Sequence, residues 1–282
     1  MTRFSRRLVL AIPLVVACRS RRREGGAIRR VVSIAPATTE ALFAVGAGPL
    51  VVGRSQYCDF PPEVRALPSV GGVTDPSFEA ILALAPDLVV GSWLAPRAIV
   101  DRLGEKRIGT YFPHVESFAE IDAMIGGIAE RVARPKEGAE VIAKMHADRE
   151  RIARAVAGRP TPRVLFVVGA SPIFVAGPGS FADEVLRAAG GINAMRATGA
   201  GVTAWPSIDI EQVIALDPDV VLDASASPEH GAASLGPGWN AVRAFREGKI
   251  IPMKDEIVLR PGPRVAEGIA QVARAIHPGA LP

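Results

Sequence analysis

The stretch that decides the fold is EAILALAPDLVV at residues 79–90, which recurs as EQVIALDPDVVL at residues 211–222. In each copy the apolar residues are spaced as on one face of a helix. A proline, Pro86 or Pro218, then ends that helix because it lacks an N–H and clashes with the preceding turn. The wholly apolar run that follows is typical of a strand buried on both faces of a parallel sheet. The two copies lie too far apart for a solenoid repeat and predict two similar α/β lobes.

A long, uninterrupted helical pattern separates the two copies. From Pro135 to Gly158 the sequence is rich in Ala, Glu, Lys and Arg, with proline suited to the first helical position and glycine to the end. A single stiff helix between lobes implies little closure on a ligand. We therefore predict an α/β fold with a ligand cleft between its lobes. The predicted parts are an N-terminal lobe at residues 29–134, a linking helix at 135–158 and a C-terminal lobe at 159–282.

The N-terminus has the pattern of an export signal. Three arginines precede an apolar stretch at residues 8–17, which is too short to span a bilayer because a spanning helix needs about 20 residues. The sequence Val-Val-Ala-Cys at residues 15–18 resembles a lipobox, in which Cys18 is lipidated. We expect a signal peptide at residues 1–17, a polar tether at 18–28, and an exported, periplasmic or extracytoplasmic lipoprotein anchored to a membrane. Ser5-Arg6-Arg7 also resembles a twin-arginine motif, so Sec and Tat export both stay open.

Composition narrows the class of protein further. The chain has 282 residues, 49% hydrophobic and 22% charged, as in a folded globular protein. Much of the net charge of +4 comes from N-terminal arginines, so we expect no binding to nucleic acid. Cys58 is the only thiol besides Cys18, which excludes an intramolecular disulfide in a lipidated chain. The histidines are too scattered to predict a metal site.

No motif predicts an enzyme. The chain contains no Gly-x-Ser-x-Gly elbow. Residues 177–180, Gly-Pro-Gly-Ser, open a helix but lack the Lys-Ser/Thr ending of a phosphate-binding loop, so a capped helix after a glycine turn is the simpler interpretation. An exported enzyme and a stand-alone sensor module stay open as alternatives.

Three further motifs carry a resemblance to a known family. Residues 57–63, Tyr-Cys-Asp-Phe-Pro-Pro-Glu, are similar to the Tyr-x-Asp-aromatic-Pro-Pro segment of cobalamin-binding proteins. RPGPR at residues 260–264 and GWNAVRA at 238–244 are similar to the same family. The chain thus resembles the class III periplasmic substrate-binding proteins of ABC importers, those with a helical backbone between two lobes. This resemblance implies a monomer that needs no cofactor, captures a corrinoid (cobalamin, vitamin B12) and delivers it to a permease dimer. Haem and ferric siderophores are the alternative ligands.

The resemblance also implies which side chains contact the ligand. Matched segment by segment, the aromatic residues around a corrin are Tyr57, Trp93 and Trp205. Flat aromatic walls suit a broad, nearly neutral macrocycle fringed with amides. Tyr57 could instead ligate haem iron. The remaining tryptophan, Trp239, is expected to pack in the core. The arginines that could hold an anionic siderophore are Arg54, Arg97 and Arg260.

The repeat places a glutamate, Glu79 or Glu211, at the start of the same helix in each lobe. A carboxylate in the first turn stabilises a helix by about 0.3–1 kcal/mol through its interaction with the helix dipole. This stabilisation is one explanation for the position of both glutamates. The resemblance implies another, in which one glutamate per lobe docks on arginines of the two-fold symmetric permease. Matched charges on two lobes suit a symmetric partner.

Overall fold

The computed structural model describes residues 27–198, 203–225, 235–236, 238–253 and 256–281. The predicted signal peptide and Cys18 lie outside these ranges. The strands are β1 (Val31–Ser33), β2 (Val51–Arg54), β3 (Leu88–Val90), β4 (Gly109–Tyr111), β5 (Arg163–Ala170), β6 (Ile173–Val175), β7 (Ile192–Asn193), β8 (Ser207–Ile208), β9 (Val220–Asp223) and β10 (Ile250–Pro252). The helices are α1 (Pro36–Ala44), α2 (Phe78–Ala83), α3 (Arg97–Glu105), α4 (Phe118–Arg131), α5 (Pro135–Val156), α6 (Phe181–Ala188), α7 (Ile210–Leu216), α8 (Arg243–Arg246) and α9 (Val265–Ile276).

The two lobes contain the same parallel arrangement of strands, which confirms the predicted fold class. In the N-terminal lobe the order is β2-β1-β3-β4, and every pair is parallel. In the C-terminal lobe β7, β5, β9 and β10 repeat that order with parallel pairing. The C-terminal sheet also carries β6, which pairs antiparallel with the last residues of β5, and β8, which pairs antiparallel with β6. This addition makes the second sheet mixed, and the sequence pattern did not predict it.

The repeated helices end in the same way. α2 ends at Ala83 and α7 at Leu216. The residue before each repeat proline has a left-handed backbone conformation. Its φ is 43° at Ala85 in the first copy and 39° at Asp217 in the second. The residue before a proline is disfavoured in the right-handed helical region, so each helix stops short of its proline. The chain then enters the following strand.

The repeated aspartates tie neighbouring strands together. The carboxylate of Asp87 accepts a hydrogen bond from the N–H of Arg30 at 3.0 Å, just before β1. Asp219 accepts from the N–H of Arg163, the first residue of β5, at 2.8 Å. This backbone hydrogen bond, followed by that from Arg243, lowers the pKa of Asp219. The aspartate of each repeat therefore joins the start of its own strand to the start of the neighbouring strand in the sheet.

The linking helix α5 spans 22 residues, or about 33 Å, close to the predicted range of 135–158. It crosses α4 closely, because a Cβ at Gly138 would lie 2.5 Å from that of Ala129. The largest buried apolar cluster includes side chains of β1, α4, α5, β5 and α9. Both lobes and the linking helix therefore share one core, which favours a fixed angle between the lobes.

Local details confirm two predictions. Ser180 caps α6 by accepting the N–H of Asp183 at 3.2 Å, as predicted. Trp239 is 1% exposed and packs in the C-terminal core, also as predicted. The first helix, α1, begins at Pro36, and within it the Thr38 hydroxyl donates to the carbonyl of Ala35 at 3.0 Å. Over the described ranges, every helix is too short or too polar to cross a membrane.

Candidate functional site

A cleft of about 550 Å³ lies between the two lobes. Its walls are the loops that follow β1, β3, β4, β9 and β10, together with the start of α6 and the segment before β8. These loops lie at the carboxyl ends of the parallel strands, where open α/β sheets bind ligands. The volume is in the range of small-molecule sites. The fold therefore brings the same edge of both sheets to one cavity.

Two of the predicted aromatic residues, Trp93 and Trp205, line this cleft from opposite lobes. Trp93 follows β3, is 47% exposed and lies against His114 with ring centroids 4.9 Å apart. Trp205 precedes β8 and is half-buried against the shared core. The two indoles give the cleft a flat, apolar surface on each side.

The third predicted aromatic residue, Tyr57, lies outside the set of residues that line the cleft. Its side chain is 56% exposed, and its ring is 3.4 Å from where a Cβ on Gly72 would lie, next to the cleft residue Val73. The neighbouring Cys58 is buried and accepts a hydrogen bond from the Thr39 hydroxyl at 3.0 Å. This buried contact holds the Tyr57 loop against α1 and places the phenol at the rim.

A buried ion-pair cluster joins the lobes beneath the cleft. Glu40 of α1 accepts from Arg264 at 2.9 and 2.7 Å and from Arg260 at 2.8 Å. Arg260, which lines the cleft, also donates to Asp59 at 3.0 Å. The side chain of Glu40 is only 3% exposed. Its hydrogen bonds outweigh burial and raise the pKa of Arg264. Positions more than 200 residues apart in sequence thus hold the cleft together.

A second charged residue, Glu116, lines the cleft between β4 and α4. Its N–H donates to the carboxylate of Glu120 at 2.7 Å, and this contact is the main reason that the pKa of Glu120 is lowered. The Ser117 hydroxyl donates to the same carboxylate at 3.1 Å and caps α4 by accepting the Glu120 N–H. The backbone that carries Glu116 is therefore fixed on both sides.

The repeated glutamates are both surface residues at the second position of their helices. Glu79 follows the cap Ser77 in α2, and Glu211 follows Asp209 in α7. The Glu79 side chain is 80% exposed and pairs with Arg102 at 3.4 Å. Both helices begin at the carboxyl edge of their sheets, so the two glutamates lie on the cleft side of the molecule.

The arginines considered as siderophore ligands are engaged within the chain. The guanidinium of Arg54 donates to backbone carbonyls of Ser55 and Gln56. Arg97 pairs with Asp101 at 2.9 Å on the surface. Within the described ranges, no group of His, Cys, Asp or Glu side chains could hold a metal ion.

The model of the periplasmic binding protein family matches residues 31–257. The chain belongs to this family. It is thus the substrate-binding protein of an ABC importer, of the class with a helical backbone, and it acts outside the cytoplasm. This finding confirms the resemblance on which the site residues were predicted.

Comparison with individual proteins places this binding protein among several kinds of relative. It is 27% identical to the uncharacterized ABC transporter substrate-binding lipoprotein YvrC of Bacillus subtilis, over 89% of this chain and 80% of that one. It is 28% identical to the vitamin B12-binding protein of Salmonella paratyphi A, over 88% of this chain and 90% of that one. Among solved structures, the apo periplasmic heme-binding protein RhuT of Roseiflexus sp. RS-1 is 30% identical to this chain, with a TM-score of 0.81. The match covers 90% of this chain and 100% of that one.

The sequence pattern missed two residues of the site. Glu40 lies in an apolar helix, and its partners are more than 200 positions away, so no local signal indicates the ion pairs. Glu116 follows a short strand at a position that any polar loop residue could occupy. The RPGPR motif offered a partial signal, because it brings Arg260 and Arg264 together ahead of α9.

Proposed function

We propose that this binding protein captures a corrinoid between its lobes and delivers it to an ABC permease. The observation that carries the proposal is the pair of indoles, Trp93 and Trp205, on opposite walls of one cleft. Aromatic side chains supply large, flat, apolar surfaces that suit a macrocycle, and a few polar groups fix its orientation. The shared core favours a cleft that exists before the ligand enters. The vitamin B12-binding relative supports the same ligand class.

Haem is the principal alternative, and the heme-binding relative favours it. Haem iron in proteins is held by His, Cys, Met or Tyr side chains. None of these residue types occurs among the described residues that line the cleft. Tyr57 lies at the rim and His114 lies against Trp93 beside Glu120, so either would have to turn inward to reach an iron atom. Since a corrinoid needs no such axial ligand, the described walls favour it over haem.

The rim position of Tyr57 fits a ligand larger than the cleft. A corrinoid that stands between the indoles would extend past Val73 toward the exposed phenol. The Tyr57 hydroxyl could then donate a hydrogen bond to a peripheral amide carbonyl. We assign Tyr57 to this outer contact and the tryptophans to the inner one.

Removing an indole should weaken ligand binding strongly. We expect Trp93→Ala or Trp205→Ala to reduce corrinoid affinity by about 1–3 kcal/mol, roughly 5- to 150-fold, because a large stacked apolar contact is lost. Calorimetric titration of the mature protein with cobalamin measures the change in affinity. Phe245→Ala is the matched control, since this aromatic side chain is 38% exposed on α8, outside the cleft. Equal affinities of all three variants would contradict the proposed site.

We further propose that Cys18 carries a lipid anchor that holds the protein to the membrane. The lipobox-like sequence at residues 15–18 and the lipoprotein relative support this. Cys18→Ala should move the protein from the membrane fraction to the soluble exported fraction, as fractionation and immunoblotting would detect. Cys58→Ala is the control, because this buried thiol lies in the folded lobe. An unchanged distribution of the Cys18 variant would exclude the anchor.

We also assign Glu79 and Glu211 to docking on the permease. Both carboxylates are exposed, occupy equivalent positions in the two lobes and lie on the cleft side. A rigid pair of matched negative charges suits two positively charged pockets on a two-fold symmetric partner.

A further inference from the structure

The cleft contains a carboxylate without a partner in the described part of the chain. Glu116 lines the cleft, its Oε2 atom is buried without a hydrogen-bond donor, and the side chain forms no ion pair with any described residue. Burying a charged oxygen without a donor is unfavourable. A ligand that brings hydrogen-bond donors into the cleft would therefore stabilise this oxygen.

The other charged residue of the described walls does not balance Glu116. Arg260 donates to Glu40 and Asp59, and Arg264 donates to the same Glu40. This cluster contains two cations and two anions, so its charges compensate each other. Among the described residues that line the cleft, Glu116 thus supplies the uncompensated charge.

The backbone that carries Glu116 is held in a fixed position. Its N–H donates to Glu120 at 2.7 Å, and Ser117 forms reciprocal hydrogen bonds with Glu120 at the start of α4. This rigid turn keeps the side chain attached at the wall of the cleft. Its charge should therefore act on whatever occupies the cleft.

We propose that Glu116 selects the ligand by charge. The carboxylate accepts hydrogen bonds from amide N–H groups at the edge of a macrocycle and repels ligand carboxylates. A corrinoid is fringed with amides, whereas haem and many siderophores carry carboxylates, so one residue favours the first class and disfavours the others. This inference rests on the corrinoid function proposed above and names a residue that determines its specificity.

The test compares ligands that differ in charge and little else. One pair is cobinamide and a cobinamide in which peripheral amides have been hydrolysed to carboxylates. The other pair is haem and its dimethyl ester. Affinities are measured for the wild type and for Glu116→Gln, which keeps the shape of the side chain and removes its charge. Glu130→Gln is the control, since it makes the same change at the exposed end of α4.

The wild type should bind the amide or ester member of a pair more tightly, and Glu116→Gln should reduce that preference at least about tenfold. Glu130→Gln should leave it unchanged. A preference unaltered by Glu116→Gln overturns the role of Glu116. If the wild type binds no corrinoid, the proposed function fails, and the porphyrin pair still tests the charge effect. If the wild type binds neither pair of ligands, both the proposed function and the role of Glu116 are overturned.

Discussion

Reversing both glutamates that we assign to docking, Glu79→Lys together with Glu211→Lys, is expected to abolish uptake of the ligand by cells while leaving the affinity of the isolated protein unchanged. Neither residue lines the cleft, and both are exposed, so the ligand should not sense the change. The permease should sense it strongly, because like charges placed opposite each other at an interface cost several kcal/mol. Uptake assays in cells and calorimetry on the purified variant measure the two effects.

Each single reversal should weaken the complex only in part. The loss should grow at low salt, where charges at a surface are least screened. The matched control is Glu105→Lys together with Glu247→Lys. These exposed glutamates precede β4 and β10, so they lie at the amino edge of each sheet, away from the cleft. If the double docking variant loses ligand binding or unfolds, Glu79 and Glu211 serve the fold or the cleft and do not dock on the permease.

Removing the carboxylate of Glu40 is expected to destabilise the whole protein. Glu40→Ala should lower the free energy of unfolding by about 3–5 kcal/mol, because it leaves two partly buried arginines without their shared partner. Arg260 and Arg264 have side chains only 10% and 22% exposed. Urea unfolding followed by circular dichroism measures the change.

Glu267→Ala provides the comparison for Glu40. Glu267 contacts the same Arg264, at 3.9 Å, but its side chain is 63% exposed. Pairs of this kind contribute about 0–1 kcal/mol. If both variants unfold at the same urea concentration, the buried cluster does not hold the lobes together.

The repeat at residues 79–90 and 211–222 predicted most of the fold, because its signals are local. An apolar helix face, a proline and an apolar run each act within a few residues, and the structure repeats them in α2–β3 and α7–β9. The strands then have the same order in both sheets, since similar sequence segments form similar helices and strands. The added β6 and β8 escaped prediction because two short strands without alternation give little signal.

The site was only partly predictable for a related reason. Trp93 and Trp205 follow or precede strands, so their place at a sheet edge could be inferred, and both line the cleft. Tyr57 lies at the rim because the buried Cys58 thiol and the Thr39 hydroxyl hold its loop, a contact that the motif does not reveal. The role that we assign to Glu116 depends on its place in the cleft wall and on the lack of a described partner for its Oε2 atom, and a linear sequence shows neither.

The most direct test of corrinoid binding is calorimetric titration of the mature wild-type protein with cobalamin, cobinamide, haem and a ferric siderophore under identical conditions. The proposed function predicts tight, one-to-one binding of cobalamin, with a change in tryptophan fluorescence that persists in a variant lacking the buried Trp239. It predicts weaker binding of haem and of the siderophore. Tight binding of haem or the siderophore, with no binding of either corrinoid, would contradict it.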